Sequence, residues 1–192
     1  ALTVENKTAL KSLIDKGKIA PVEEEAAREH YEIMIRVLEE AGFENYEFSN
    51  FGKPGYFSQN NTAYWFGKTY LGIGPSAHSF DGQSRMWNIS NNTLYIKNIE
   101  KDQLPSEREE LSLNDRYNEY VMTRLRTKWG ILLTEVQEKF GEDHKEYLLR
   151  EARSFLNNGM MELEGDTLSI SPKGKFLGDG IAAELFLVDL NP

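Results

Sequence analysis

Residues 43–80 read FENYEFSNFGKPGYFSQNNTAYWFGKTYLGIGPSAHSF and combine aromatic side chains with short amides and one histidine. Flat apolar surface beside a few polar groups suits a planar ligand, whereas a plain core strand has no need of the amides. The stretch therefore predicts one wall of a binding cavity for a flat molecule.

Two segments of this stretch, residues 46–49 and 69–73, are predicted strands because aromatic and β-branched residues cluster there between Gly, Pro and Asn. Ligand sites in α/β proteins form beyond the carboxyl ends of parallel strands, so the loops 49–55 and 72–79 would both face a ligand if these two strands are parallel. Gly72 and Gly74 let a backbone approach a bulky group, although a simple tight turn explains them equally well.

Composition limits the classes of function. The 192 residues are 40% hydrophobic and 11% aromatic, enough for the core of one or two domains. No apolar run approaches the roughly 20 residues of a membrane helix, so we expect a cytoplasmic protein without stable membrane insertion. The net charge of -9 argues against nucleic acid as a partner. The absence of cysteine excludes disulfides and CxxC zinc sites, and we assign no metal ligand or catalytic residue.

The first half of the chain is predicted to alternate strands and helices. A short strand at Leu2–Val4 precedes a helix over 8–16 and a second helix from Pro21 to Gly42. The apolar face of that second helix comprises Ala27, Tyr31, Met34, Ile35, Leu38 and Ala41. Strand, helix and strand in this order form a βαβ unit, which fits the closing part of an incomplete α/β barrel. A strand over 85–89 and a helix over 93–99 follow.

The second half has a different architecture. Residues 102–112 are charged and contain a proline, so we place the domain boundary there and predict domains over 1–105 and 106–192. The second domain is predicted to contain a helix over 114–128 capped by Asn114, a short helix over 134–140 capped by Thr134 and a helix from 143. A hairpin of 160–163 with 167–170 and a last helix over 171–186 follow. This order of elements is a winged-helix pattern. Together with the α/β pattern of the first half, it predicts the fold class α/β plus α+β.

Winged helices often read DNA, but the charge of this one opposes that use. Residues 134–158 carry four basic and six acidic side chains, and the hairpin adds Glu162, Glu164 and Asp166. Such a surface repels phosphate. We therefore interpret residues 106–192 as a structural or partner-binding accessory domain.

Four motifs carry a family resemblance: GFENYEFSNF (42–51), KPGY (53–56), NNTAYW (60–65) and YLGIGPSAHS (70–79). Together they closely resemble the radical S-adenosylmethionine family of oxygen-independent coproporphyrinogen III oxidase-like proteins, and within it the haem chaperone branch. The resemblance implies the C-terminal part of a radical SAM barrel followed by a small helical domain.

The resemblance also implies cofactors. The intact protein would hold S-adenosylmethionine and a [4Fe-4S] cluster, with Gly72, Gly74 and His78 at the S-adenosylmethionine. Because this chain has no cysteine, the cluster ligands would belong to a missing amino-terminal part of the same chain, and these residues alone cannot run radical chemistry. The intact protein would resemble a radical SAM oxidoreductase. The alternative is a complete protein processed at Ala1.

The family's haem motif also has a counterpart here. The chaperone branch usually carries His-Asn-x-x-Tyr, and this chain has Asn60, Asn61 and Tyr64 at the corresponding positions. The resemblance implies that these three residues face the tetrapyrrole. An amide is a poor iron ligand, so Asn60 is lost as an axial donor. His78 is a candidate replacement, or a histidine hydrogen-bonded within its loop.

Three functions stay open at this point. The first is a haem chaperone that passes haem to an accepting protein. The second is a true oxidase of coproporphyrinogen III, a substrate whose four propionates call for Arg and Lys; the central stretch offers only Lys53 and Lys68, with Arg85 just beyond, which favours the chaperone. The third is a non-enzymatic interaction module in which the aromatic residues form a core.

Overall fold

The computed structural model describes residues 4–188, so the predicted strand at Leu2–Val4 lies largely outside the described residues. The chain divides into two compact units, residues 1–45 with 49–56 and residues 46–48 with 57–192. Within the described range, no helix is both long and apolar enough to cross a bilayer.

The first unit contains two helices, as the sequence predicts. Helix α1 (Ala9–Asp15) begins after Thr8, whose hydroxyl accepts a hydrogen bond from the Lys11 amide at 3.2 Å. Helix α2 (Glu24–Glu40) has Glu24 and Glu25 in its first turn, where the helix dipole favours negative charge. Of the predicted apolar face of α2, Tyr31 is buried, whereas Ala41 lies beyond the last turn and is exposed.

Strands β1 (Glu44–Glu47) and β2 (Asn50–Gly52) form a two-stranded sheet in place of the single strand predicted over 46–49. Helix α3 (Gln59–Trp65) follows, in a region predicted as a loop. The Ser58 hydroxyl accepts a hydrogen bond from the Asn61 amide at 3.2 Å and so caps this helix.

A three-stranded antiparallel sheet follows α3. It is formed by β3 (His78–Phe80), β4 (Ser84–Asn88) and β5 (Ser106–Glu110) in the order β3-β4-β5. His78 faces Trp87, and Ser84 faces Glu110. Helix α4 (Asn92–Ile99) connects β4 to β5 and is capped by Asn91.

This sheet corrects two predictions. Residues 69–73 form no strand, and Tyr70 makes only an isolated bridge with Phe80. The condition under which the loops 49–55 and 72–79 would both face a ligand, two parallel strands at 46–49 and 69–73, is therefore not met. Within the segment 102–112, β5 pairs along its whole length with β4. The domain boundary at 105 stays a prediction.

The predicted winged helix is confirmed. Its elements are α5 (Leu113–Leu125), β6 (Ile131–Leu132), α6 (Leu133–Phe140), α7 (Glu142–Asn157), β7 (Met161–Glu164) and β8 (Thr167–Ile170). The antiparallel sheet has the order β6-β8-β7, with Met161 opposite Ile170. A turn of 3-10 helix (Lys175–Leu177) and α8 (Gly178–Glu184) replace the single last helix predicted over 171–186.

Two helix caps differ from their predictions. Ser112, not Asn114, caps α5 in a reciprocal capping box with Asp115. Thr134 does not cap α6, because Leu132 occupies that position. Instead the Asp166 carboxylate, from the β7–β8 turn, accepts hydrogen bonds from the amide and hydroxyl of Thr134 at 3.2 and 2.6 Å.

The core of the winged helix joins its helices to its sheet. The buried apolar side chains are Tyr117, Val121, Leu125, Ile131, Leu133, Val136, Leu148, Ala152, Met161, Leu168, Ile170, Ile181, Ala182 and Leu185. Helix α8 contributes Ile181 and Ala182 to this core, and Leu185 directly follows the helix. The buried face of α5, which carries Tyr117, Val121 and Leu125, belongs to this core. The remaining faces of α5 are left for other contacts.

Candidate functional site

A cavity of about 450 Å³ lies within the second unit, beside α3, the β3–β4 hairpin, α5 and α6. Its volume is in the range of small-molecule sites, roughly 300–1,000 Å³. The lining residues are Tyr64, Trp65, Phe66, Gly67, Lys68, Tyr70, Phe80, Gly82, Arg85, Arg116, Glu119, Tyr120, Thr123, Arg124, Glu135, Lys139 and Phe140. It therefore combines aromatic rings with charged groups of both signs.

The aromatic wall is supplied by the end of α3 and the segment that follows it. Tyr64 and Tyr70 meet edge to face with their ring centroids 4.7 Å apart, and Tyr70 lies 6.0 Å from Phe80. Gly67 adopts a φ of +63° directly after α3, a conformation that glycine tolerates, and so lets the chain turn back along the cavity. These contacts hold several rings at one side of the space, where flat apolar surface is available to a ligand.

Cationic side chains share the cavity with these rings. Arg85 donates a hydrogen bond to Glu119 at 2.6 Å. Arg124 is 5% exposed, and its guanidinium lies over the Phe66 ring, 4.2 Å from its centroid. Five cations (Lys68, Arg85, Arg116, Arg124 and Lys139) face two carboxylates (Glu119 and Glu135), so the cavity is positively charged in a chain of net charge -9.

Glu135 is the most constrained carboxylate of the cavity. Lys139 and the Tyr120 hydroxyl donate hydrogen bonds to it at 2.5 and 2.8 Å. Burial disfavours its charged form, but the hydrogen bonds from Lys139 and Tyr120 outweigh burial and lower the pKa of Glu135. Burial and the Glu135 carboxylate together raise the pKa of Tyr120. At neutral pH, Tyr120 is therefore a neutral donor and Glu135 an anion.

The three predicted haem residues all lie on α3 but do not share one environment. Tyr64 lines the cavity and is 45% exposed. The Asn61 side chain donates a hydrogen bond to the Tyr46 hydroxyl at 3.3 Å, away from the lining residues. Asn60 is exposed and also lies outside the lining. The structure thus brings Tyr64 alone to the cavity, and the roles of Asn60 and Asn61 stay predictions.

The three predicted cofactor residues lie near each other on the 72–79 loop. A Cβ on Gly72 would fall 2.1 Å from the His78 carbonyl oxygen, so this glycine allows the close approach of its own chain. Gly74 has a φ of +102°, and its carbonyl accepts a hydrogen bond from Asn88 at 2.9 Å. His78 is exposed and its ring lies 6.1 Å from that of Trp87. None of the three lines the cavity.

Sequence reasoning missed most of the charged side of the cavity. Lys53 does not line it, whereas Arg116, Arg124 and Lys139 reach it from the winged helix. A signal was available, since Arg116, Tyr120 and Arg124 recur every four residues and so share one face of α5. The count of cations in the central stretch, which favoured a chaperone over an oxidase, therefore leaves out three cations that line the cavity.

The donor set of this chain does not fit an iron–sulfur cluster. Such clusters are held by cysteine thiolates, and the sequence contains none. Nor do residues 4–188 bring three or more His, Asp or Glu side chains together as a metal site. Any cluster chemistry must therefore be supplied by groups outside these 192 residues.

Comparisons with known proteins agree on one family. Residues 111–177 match the family described as "HemN C-terminal domain". The chain is 30% identical over 186 residues to "Heme chaperone HemW" of Mycobacterium tuberculosis, covering 96% of this chain and 46% of that protein. It is 28% identical over 182 residues to the protein of the same name from Bacillus subtilis, covering 94% of this chain and 48% of the other.

A mitochondrial relative matches a shorter segment. "Radical S-adenosyl methionine domain-containing protein 1, mitochondrial" of Danio rerio is 42% identical over 77 residues, which cover 40% of this chain and 17% of that protein. The chain as a whole spans about half the length of the curated HemW relatives it matches.

The fold has a counterpart among solved structures. Coproporphyrinogen III oxidase (HemN) from Escherichia coli, described as a radical SAM enzyme, superposes with a TM-score of 0.64 at 16% identity, covering 81% of this chain and 39% of that one. The winged helix, the family match and the near full-length similarity to HemW proteins all point the same way. The chain corresponds to the carboxyl-terminal portion of an HemN/HemW-like radical SAM protein.

Proposed function

We propose that this chain is the tetrapyrrole-side portion of a haem chaperone related to oxygen-independent coproporphyrinogen III oxidase. The observation that carries the proposal is the cavity beside Tyr64, which combines aromatic rings with an excess of cations. A tetrapyrrole is a flat apolar ring with carboxylates at its edge, so its two kinds of surface match the two kinds of side chain that line this cavity. The names of the full-length HemW relatives support the same function.

In this proposal Tyr64 is the candidate ligand for the haem iron. Tyrosine oxygen serves as a haem ligand, whereas the amide of Asn60 is a poor one and lies outside the cavity lining. Asn61 then acts indirectly, because its hydrogen bond to Tyr46 braces the middle of α3. We keep Gly72, Gly74 and His78 as a separate proposal, a loop that approaches S-adenosylmethionine when the rest of the working protein is present.

Titration of the purified chain with ferric haem tests the proposal. We expect Tyr64→Phe to shift the absorption bands of the complex and to weaken binding, because the iron loses an oxygen ligand. Tyr56→Phe is the matched control, since Tyr56 is 83% exposed and lies outside the cavity lining. Identical spectra and affinities for the wild type and Tyr64→Phe would remove Tyr64 as the ligand, and no saturable binding would remove the function.

The positive cavity also favours a second function, oxidation of coproporphyrinogen III, whose propionates need basic partners. An anaerobic assay of the working protein separates the two. Loss of propionates with formation of vinyl groups would establish the oxidase, whereas transfer of intact haem to an accepting protein would establish the chaperone. In both cases we propose that the [4Fe-4S] cluster and its cysteines lie in additional amino-terminal polypeptide. A cytoplasmic location belongs to the same proposal.

A further inference from the structure

Arg124 is a buried cation whose hydrogen-bonding groups are largely unused. We propose that it anchors a carboxylate of the ligand in the cavity, an inference that rests on the proposed function and assigns the position of the ligand's acidic edge. Arg124 is 5% exposed and lines the cavity. Within the described part of the chain, neither its Nε nor its Nη1 atom has a hydrogen-bond partner.

An ionised guanidinium buried without hydrogen bonds is costly, and buried polar groups in proteins are nearly always paired. The Nη2 atom of Arg124 lies 3.8 Å from Oε2 of the Glu135 carboxylate. That distance is too long for a hydrogen bond. An anion that enters the cavity and accepts hydrogen bonds from Arg124 offsets this free-energy cost.

The carboxylates already present in the cavity are engaged by other partners. Glu135 accepts hydrogen bonds from Lys139 and Tyr120 at 2.5 and 2.8 Å. Glu119 accepts one from Arg85 at 2.6 Å. Neither carboxylate therefore satisfies Arg124 from within the chain, and the anion has to come from the ligand.

A second guanidinium in the cavity has the same property. Arg116 lies two turns before Arg124 on the same face of α5, and its buried Nε also has no hydrogen-bond partner in the described range. The guanidinium of Arg124 lies over the Phe66 ring, which supports one face of its plane. Aromatic walls beside two such cations select a carboxylate carried on a flat apolar body rather than a small free anion.

The experiment compares haem, whose propionates are charged, with haem dimethyl ester, whose propionates are neutral methyl esters. Both are titrated into the purified chain, into Arg124→Met and into Arg153→Met. Arg153 is exposed on α7 and lies outside the cavity lining, so it is the matched control. We expect Arg124→Met to weaken haem binding about ten- to a hundredfold, the range of hydrogen bonds to charged groups, and to leave ester binding unchanged.

The thermal stability of the ligand-free variant supplies a second readout. Arg124→Met removes a buried charge whose Nε and Nη1 make no hydrogen bond in the described range, so the Tm of the variant should be unchanged or raised, and the loss of affinity would not reflect misfolding. Arg124→Lys should retain part of the preference for the acid over the ester.

Two results would overturn the inference. Equal weakening of both ligands by Arg124→Met, or no weakening of either, would remove Arg124 as a carboxylate anchor while haem binding itself stands. If the wild type binds neither ligand, the proposed function fails, and titration with 2-naphthoate and 2-naphthamide then tests the anchor alone. Preference for the naphthoate that is lost in Arg124→Met would retain it, and equal binding would reject it.

Discussion

The Arg126 guanidinium donates two hydrogen bonds to the same carboxylate oxygen of Glu47, at 3.2 Å from Nε and 2.8 Å from Nη2. The Glu47 side chain is fully buried, and Arg126 also pairs with the exposed Asp179 at 2.5 Å. Burial disfavours the charged Arg126, but its hydrogen bonds with Glu47 outweigh this and raise its pKa. The pair joins Glu47, the last residue of β1, to Arg126, the residue that follows α5, beside the bridge between Glu47 and Thr127.

Arg126→Met should destabilise the chain strongly, because it removes the two hydrogen bonds that Arg126 donates to the buried carboxylate of Glu47. We expect a loss of about 3–5 kcal/mol in the free energy of unfolding, measured by urea denaturation. Asp179→Asn is the control, since it removes only the exposed partner and should cost under about 1 kcal/mol. The double variant Glu47→Gln with Arg126→Met should recover much of the loss. Equal effects of the two single variants would contradict this account of the pair.

Gly72→Ala should destabilise the 72–79 loop and β3. The added Cβ would lie 2.1 Å from the His78 carbonyl oxygen, a backbone atom that cannot rotate away. We expect a cost of about 1–3 kcal/mol in thermal unfolding, as for overpacked interiors. Gly180→Ala is the control, because Gly180 lies in α8 with nothing within 4 Å of the new methyl group, and alanine favours helix. A Gly72→Ala variant as stable as the wild type would show that the loop is not packed as described.

Two buried tyrosines predict a loss of stability at alkaline pH. Burial, reinforced by neighbouring acidic groups, raises the pKa of Tyr117 and Tyr120 above their ordinary value of 10.0. A raised pKa contributes stability that is fully present below pH 10 and is lost as pH rises through the folded value. Tyr120→Phe should therefore flatten the fall in the free energy of unfolding above about pH 10. An unchanged slope would mean that Tyr120 ionises freely in the folded chain.

Asp81 predicts a separate loss of stability in acid. Its carboxylate accepts hydrogen bonds from the Gln83 amide and from the hydroxyl and amide of Ser84, which lower its pKa to about 2 from 3.8. A lowered pKa contributes stability that is present above 3.8 and lost as pH falls toward 2. Asp81→Asn should remove this dependence in acid titrations of the β3–β4 turn followed by NMR. If the Asp81 carboxyl titrates near 3.8, the turn does not hold it as described.

Local patterns were sufficient for the winged helix, because its apolar spacing, its hairpin turn at Gly165 and its breaks at Gly130 and Gly141 all act over short distances along the chain. The strand predicted over 69–73 is wrong for the opposite reason, because contacts with distant parts of the chain decide the structure there. Its aromatic and β-branched residues have strand propensity, but tertiary contacts give Tyr70 only an isolated bridge.

The sequence predicted an aromatic residue of the candidate site but not the arginines that α5 contributes. Tyr64 was found because it belongs to a motif within the aromatic stretch. Arg116 and Arg124 lie more than fifty residues further along the chain, and only the packing of α5 brings them to the same cavity. Their spacing on one helical face is visible in the sequence, but the partner of that face is not.

The tryptophan indole signals in a ¹H–¹⁵N NMR spectrum test most directly whether the cavity receives a tetrapyrrole. Trp65 lines the cavity, whereas Trp87 lies outside the lining and its indole donates to Glu107 at 3.2 Å. Titration with diamagnetic gallium protoporphyrin IX should shift the Trp65 indole signal saturably and leave that of Trp87 in place. A saturable shift of Trp87 with an unmoved Trp65 would contradict the assignment of this cavity, and so would the absence of any shift.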